Sequence, residues 1–210
     1  MVQVINSTKI ILSESIRDLE LHLWEENDIS GRPLTDPIFE GIANSDILIA
    51  DITALNFNVT FEIGYAICLG KRVYLTQNDN INRDRPLADK IGIFDTLVFP
   101  TCTDEQHLSK LFRTFHLDSG ISFRTAKNLK SPVYVLQTPK SNWAMISITS
   151  RIKKARLGYK GYLPTDEPRL SAVKAIDDVS SCLGTVVPLL SKEFDDAVIH
   201  NIRAAFIAGL

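Results

Sequence analysis

No two cysteines in this chain lie close enough along the sequence to form a CxxC pair. The three that exist, Cys68, Cys102 and Cys182, are widely separated. A disulfide framework and a thiolate metal site are therefore not indicated, and all three read as reduced thiols of a cytoplasmic protein. Long apolar runs are missing too. No stretch approaches the ~20 residues of a membrane span, and the opening Met1-Val2-Gln3-Val4 lacks the charged-then-apolar pattern of a signal peptide. Charge of one sign is missing as well: 23 Lys and Arg stand against 25 Asp and Glu, for a net charge of −2. That balance gives no electrostatic footprint for nucleic acid. The densest basic stretch, Arg151 to Arg156, reads as the solvated face of a helix. There is no GxxxxGK[ST], no GxGxxG after a strand and no GxSxG elbow. His22, His107, His116 and His200 show no ligand spacing, so they read as surface or core residues and no metal is expected.

What remains is an ordinary globular composition, 45% hydrophobic over 210 residues. That length allows one large domain or two small ones. Strand and helix signals alternate. Val2 to Ile5 suits a first strand, Ser13 to Glu20 a helix capped by Ser13, and Leu21 to Trp24 a second strand. Glu25 to Pro33 is rich in turn residues. Asp36 suits a helix cap, with Pro37 at the first position and the helix running to Asn44. The apolar, β-branched run Ile47 to Ile52 reads as a buried strand. A helix follows from Asn58 to Leu69, and Gly70 stops it. Arg72 to Thr76 and Thr96 to Phe99 suit strands, and Asp104 to Phe115 a closing helix. Strands alternating with helices predict an α/β fold: a flavodoxin- or Rossmann-like parallel sheet with helices on both faces.

From His116 to Pro132 the pattern lapses, which suggests a linker. A second alternation follows: strand Val133 to Leu136, helices Trp143 to Ala155 and Arg169 to Cys182, strand Thr185 to Leu190 and helix Asp195 to Ala208. Helix, strand, turn and Asn-bearing helix thus recur in order. Setting Asn201 on Asn58 places Ala205 where Glu62 stands. The expected organisation is a first domain over 1–116, a linker over 117–131 and a degenerate second copy over 132–210. The last residues stop where the first copy continues into a strand. The closing helix should be buried through Ala204, Ala205 and Ala208, with no ligand at its start.

The chemistry concentrates in Asp51-Ile-Thr-Ala-Leu-Asn-Phe-Asn-Val-Thr-Phe-Glu-Ile-Gly-Tyr-Ala66. Asp51 closes a strand, and Asn58 and Glu62, four apart, share a face of the helix that follows. In an open α/β sheet that edge is where ligands bind. Asn58 suits either a helix cap or a ligand contact. Glu62 lies between Phe61 and Ile63, where a carboxylate is costly unless it is exposed or has a task. Trp24, expected at the same edge, suits either stacking on a base or core packing.

This segment resembles the nucleoside 2-deoxyribosyltransferase-like family, within a broader group that includes TIR-type NAD hydrolases. Glu62, followed by Gly64 and Ala66, matches that family's Glu-x-Gly-x-Ala, and Asp51 matches its strand-end Asp. The tandem arrangement is similar to bacterial members that accompany defence systems. The resemblance implies cleavage or transfer of the N-glycosidic bond of a nucleoside, nucleotide or NAD, with Glu62 as the catalytic carboxylate. Asp51, Thr53, Asn56, Asn58, Tyr65 and Trp24 would hold the nucleotide. No cofactor, nucleic acid or membrane is called for, and a homo-oligomer is expected. Asn56-Phe57-Asn58-Val59 stands where deoxyribosyltransferases usually have Asp-x-Gly-Thr. That change and the degenerate second copy suit the alternative: a nucleotide-sensing or interaction module without turnover.

Overall fold

The computed structural model describes residues 2–15, 20–26, 33, 35–81, 85–97, 100–114, 127–140 and 142–210. Fourteen regular elements follow one another among them. They are α1 (Val2–Ser15), α2 (Thr35–Asn44), β1 (Ile47–Asp51), α3 (Phe57–Cys68), β2 (Arg72–Asn78), α4 (Arg85–Ile91), β3 (Thr101–Cys102), α5 (Glu105–Arg113), β4 (Val133–Leu136), α6 (Trp143–Lys154), β5 (Tyr159–Tyr162), α7 (Ala172–Ser181), β6 (Gly184–Val186) and α8 (Ala197–Gly209). The strands form two three-stranded sheets, ordered β1-β2-β3 and β5-β4-β6. Every pairing is parallel. The α/β class expected from the alternating pattern is the observed one.

Local chemistry explains most of the boundaries. The Oδ1 of Asn56 accepts from the Val59 amide at 2.9 Å and starts α3. Asp104 does the same for α5 through the His107 amide at 2.8 Å, and Asn142 for α6 through the Met145 amide at 2.9 Å. Each cap satisfies an amide that the helix leaves without an internal partner. Gly70 takes a left-handed φ of 71° just past α3, and its amide bonds back to the Ile67 carbonyl at 2.9 Å. The basic stretch ends α6, where Arg151, Lys153 and Lys154 are exposed and complement the helix dipole.

Several expectations need correction. Val2 to Ile5 lies in helix α1, not in a strand. α1 packs on α5, so tertiary contact outweighs the β-branched pair at its start. Leu21 to Trp24 forms no strand, and Trp24 opens a 3-10 turn over Trp24–Glu26. α2 begins at Thr35, which puts Asp36 inside its first turn rather than at the cap. The strand expected at Thr96 is replaced by a 3-10 turn over Ile93–Asp95 and by the short β3 further on; Val98 and Phe99 lie outside the described residues. Residues 16–19, 27–32 and 115–126, on which parts of the expected helix, loop and linker fall, also lie outside them. β5 was not expected, because Gly161 interrupts a four-residue run. That glycine is required: a Cβ there would sit 2.2 Å from the Val135 carbonyl of the neighbouring strand.

The first and second sheets share one core. Ala50, Ile52, Ile63 and Ile67 belong to the same buried cluster as Tyr134, Leu136, Ile202 and Phe206. At its centre α8 lies along α3. Gly64 and Gly209 face each other there so closely that a Cβ on Gly64 would lie 2.4 Å from the Phe206 carbonyl, and one on Gly209 2.3 Å from the Phe61 carbonyl. α8 is buried, as expected, and Ala204 is part of its buried face, but Ala205 and Ala208 are not. Ile202, Ala204, Phe206, Ile207 and Gly209 are among its buried residues, whereas Ala205 is half-buried and Ala208 is exposed. The glycine approach, rather than the alanine row, sets how the helix is rotated.

The crossing yields a direct test. Gly64→Ala should cost roughly 1–3 kcal/mol, because the added methyl meets backbone that cannot step aside. Gly41→Ala, in α2 with nothing within 4 Å of its would-be Cβ, should be neutral or stabilising by about 0.5–1 kcal/mol. Thermal unfolding of the two variants measures the contrast.

Candidate functional site

β1 delivers Asp51 to the carboxyl end of its sheet, and a short turn leads into α3. The turn is tied down by Asp51 itself. Its Oδ1 accepts from the Thr53 amide at 2.9 Å and from the Thr53 hydroxyl. Thr53 is buried, and its hydroxyl oxygen in turn accepts from the Asn78 amide at 2.8 Å, at the end of β2. Asp51 and Thr53 thus form a relay that locks two strand ends together. Asn56 is spent on capping α3, and Asn58, one residue into the helix, is exposed. The cap expected at Asn58 therefore falls two residues earlier.

Glu62 differs from all of these. It sits in the second turn of α3, half-buried, and no hydrogen bond or ion pair reaches it among the described residues. Burial alone pushes its carboxyl pKa upward, because a low-dielectric setting disfavours the charged form. Phe61 and Tyr65 on either side turn toward α2. The Phe39 ring lies 5.7 Å from Phe61 and 5.0 Å from Tyr65, centroid to centroid. They serve as an interhelical aromatic clasp, with Glu62 left beside it. Trp24 is 68% exposed and lies on a 3-10 turn, not at a strand end of the β1 sheet.

A second feature escaped sequence reasoning. An open cleft of about 620 Å³ lies where the β5-β4-β6 sheet ends and α8 begins. Pro139, Pro164, Pro168 and Ile199 supply apolar surface, and Arg203 and His200 line the cleft from α8. Arg203 is only 4% exposed. Its Nε donates to the Ile91 carbonyl at 3.0 Å, and its Nη2 to the Lys90 and Pro168 carbonyls at 2.7 Å each. The first two carbonyls are at the C-terminus of α4, whose dipole favours a cation. The guanidinium carbon lies 5.0 Å from the centre of the Tyr162 ring. His200 is buried, with Nε2 2.8 Å from the Pro188 carbonyl, and burial lowers its pKa, favouring the neutral ring. Nothing in the local pattern marks Arg203, since an Arg in a helix usually faces water.

All three cysteines are free, Cys68 exposed and the other two buried. No group of three or more His, Cys, Asp or Glu side chains that could hold a metal occurs among the described residues. No described helix is long and apolar enough to cross a membrane. Comparison with protein-family models, with curated proteins and with solved structures gives no match.

Two measurements follow. Asn56→Ala removes the α3 cap and should cost about 1 kcal/mol in chemical denaturation. Glu62→Gln should act in the opposite direction. A carboxyl whose folded pKa is raised keeps its proton longer in the folded state, so the fold loses stability as pH climbs through and above the ordinary carboxylate range. The amide titrates nowhere. The melting temperature of Glu62→Gln should therefore exceed that of the wild type at pH 7, with the gap closing below about pH 4. An equal gap at both pH values would show that charge is not the cause.

Proposed function

We propose that this protein cleaves or transfers the N-glycosidic bond of a nucleoside, nucleotide or NAD, with Glu62 as the catalytic carboxylate. One observation carries this reading: a half-buried carboxylate with no hydrogen bond or ion pair among the described residues, on the helix that follows a strand ending in Asp. A fold keeps such a group against a stability cost when the group has work to do. Breaking an N-glycosidic bond builds positive charge at the sugar ring, and a desolvated carboxylate stabilises that charge or attacks the anomeric carbon. Asn58, exposed on the same helix face, is free to contact a sugar hydroxyl. The order helix, parallel strand, helix in α2-β1-α3 and again in α7-β6-α8 supports descent of the second half from a copy that lacks the carboxylate. The free thiols suit a cytoplasmic setting.

A second reading, binding without turnover, has an observation of its own. The Asp51 carboxylate, which would contact the sugar or base, is engaged by Thr53. Release of base or nicotinamide from a panel of nucleosides, nucleotides and NAD separates the two. On the enzymatic reading the wild type turns over at least one compound, and Glu62→Gln slows it by about 100-fold or more. Equal rates in the two proteins would remove Glu62 from the chemistry. Calorimetric binding of a nucleotide with no product after long incubation would favour the sensor.

A further inference from the structure

The cleft beside α8 holds a cation that its surroundings do not fully use. A guanidinium has five N–H donors. Three of those of Arg203 are taken, two on Nη2 and one on Nε, all by backbone carbonyls. Nη1 meets no backbone acceptor, and no carboxylate lies within ion-pair distance of this side chain, among the described residues. Beneath the guanidinium lies the Tyr162 ring, with its hydroxyl buried. A charge held away from water without a counter-charge is costly. Carbonyl dipoles meet part of that cost at the α4 end, and the residue lines the cleft.

We propose that this cleft binds a small molecule through an oxyanion, a phosphate or a carboxylate, received by the Nη1 donors of Arg203. The volume of about 620 Å³ suits such a ligand. The pyrrolidine rings of Pro139, Pro164 and Pro168 and the Ile199 side chain give its body apolar surface. The position agrees with the general rule that parallel sheets bind ligands beyond their carboxyl edges, since Pro139 and Pro164 follow directly from β4 and β5. The three carbonyls that grip Arg203 hold the fork in place before a ligand arrives, so little side-chain freedom is lost on binding. Lys90 lines the same cleft and adds positive charge, while Asp89 and Asp196 at the rim repel a ligand whose charge is spread beyond one end. The site is separate from Glu62 and does not depend on any reaction there.

Inorganic phosphate and malonate serve as probes, read by thermal shift and by the Nε and Nη resonances of Arg203 in nitrogen-15 NMR. At millimolar concentration at least one anion should raise the melting temperature and move the Arg203 resonances saturably. Response to phosphate alone would identify a phosphate ligand, and response to malonate alone a carboxylate. Because Arg203 also supports the fold, the decisive variant is Thr165→Glu. Thr165 is exposed and lines the cleft, so its replacement should leave the anion-free melting temperature unchanged while weakening the responding anion at least tenfold by repulsion. Glu62→Gln should bind that anion as the wild type does. Static Arg203 resonances with both anions, or equal anion binding by Thr165→Glu and the wild type, would overturn the proposal.

Discussion

Two helices can approach until their backbones touch only where both lack side chains at the crossing. Gly64 on α3 and Gly209 on α8 meet that condition on each other, and much of the molecule follows from it. With no Cβ between them, the flanking residues close around the crossing: Ile63 and Ile67 from one helix, Ile202 and Phe206 from the other, all buried in one cluster. Close approach also fixes rotation. Once α8 must present Gly209, Ile202 and Phe206 turn inward and Ala208 turns to solvent. The same rotation carries Arg203 to the end of α4, where it finds the carbonyls of Lys90 and Ile91.

The second tie between the sheets is polar. Leu170 donates its amide to the Ile91 carbonyl at 3.1 Å, Ala172 donates to the Thr96 hydroxyl at 3.1 Å, and Arg169 pairs with Asp95. Together with Arg203 these bonds seal the start of α7 against the turn after α4. The seal is rich in backbone groups, so it places many hydrogen bonds without demanding particular side chains from most of its members. Its dependence on the guanidiniums of Arg169 and Arg203 is the exception. By contrast the carboxyl edge of the first sheet is held by the short relay Asp51–Thr53–Asn78. One edge is closed by its own side chains, and the other retains a cleft.

How much of this was legible beforehand varies with the kind of signal. Strands made of β-branched runs, such as Ile47 to Asp51, and helices opened by Asn or Asp and closed by Gly, such as α3, could be read directly, because their causes are local. β5 could not, since Tyr159-Lys-Gly-Tyr162 is a strand only by virtue of the partner that requires a glycine. α1 was misread for a similar reason: its identity comes from α5 against it, not from its own composition. In the candidate site, Glu62 stood out as a carboxylate among apolar neighbours, and it has no hydrogen bond or ion pair among the described residues. The supporting residues were harder to assign. Asp51, Thr53 and Asn56 are polar residues at element ends, which serve backbone and ligand equally well, and only coordinates show the backbone taking them. Arg203 gave no local sign at all, because its acceptors are more than a hundred positions away.

That distance has a kinetic meaning. The bond from Arg203 to Ile91 spans 112 positions, and the helix crossing joins segments at least as far apart in the chain. Contacts of such span close after local ones, since the entropy of the large loop must be lost before they form. Until α8 docks, α3 lacks the helix it packs against most extensively, while the β1-β2 pair can already assemble. A chain in which α8 has yet to dock leaves the α3 surface that meets it uncovered, and such a surface is prone to self-association. The glycines that give the native core its tightness thus tie it to a segment of the chain that is made well after α3.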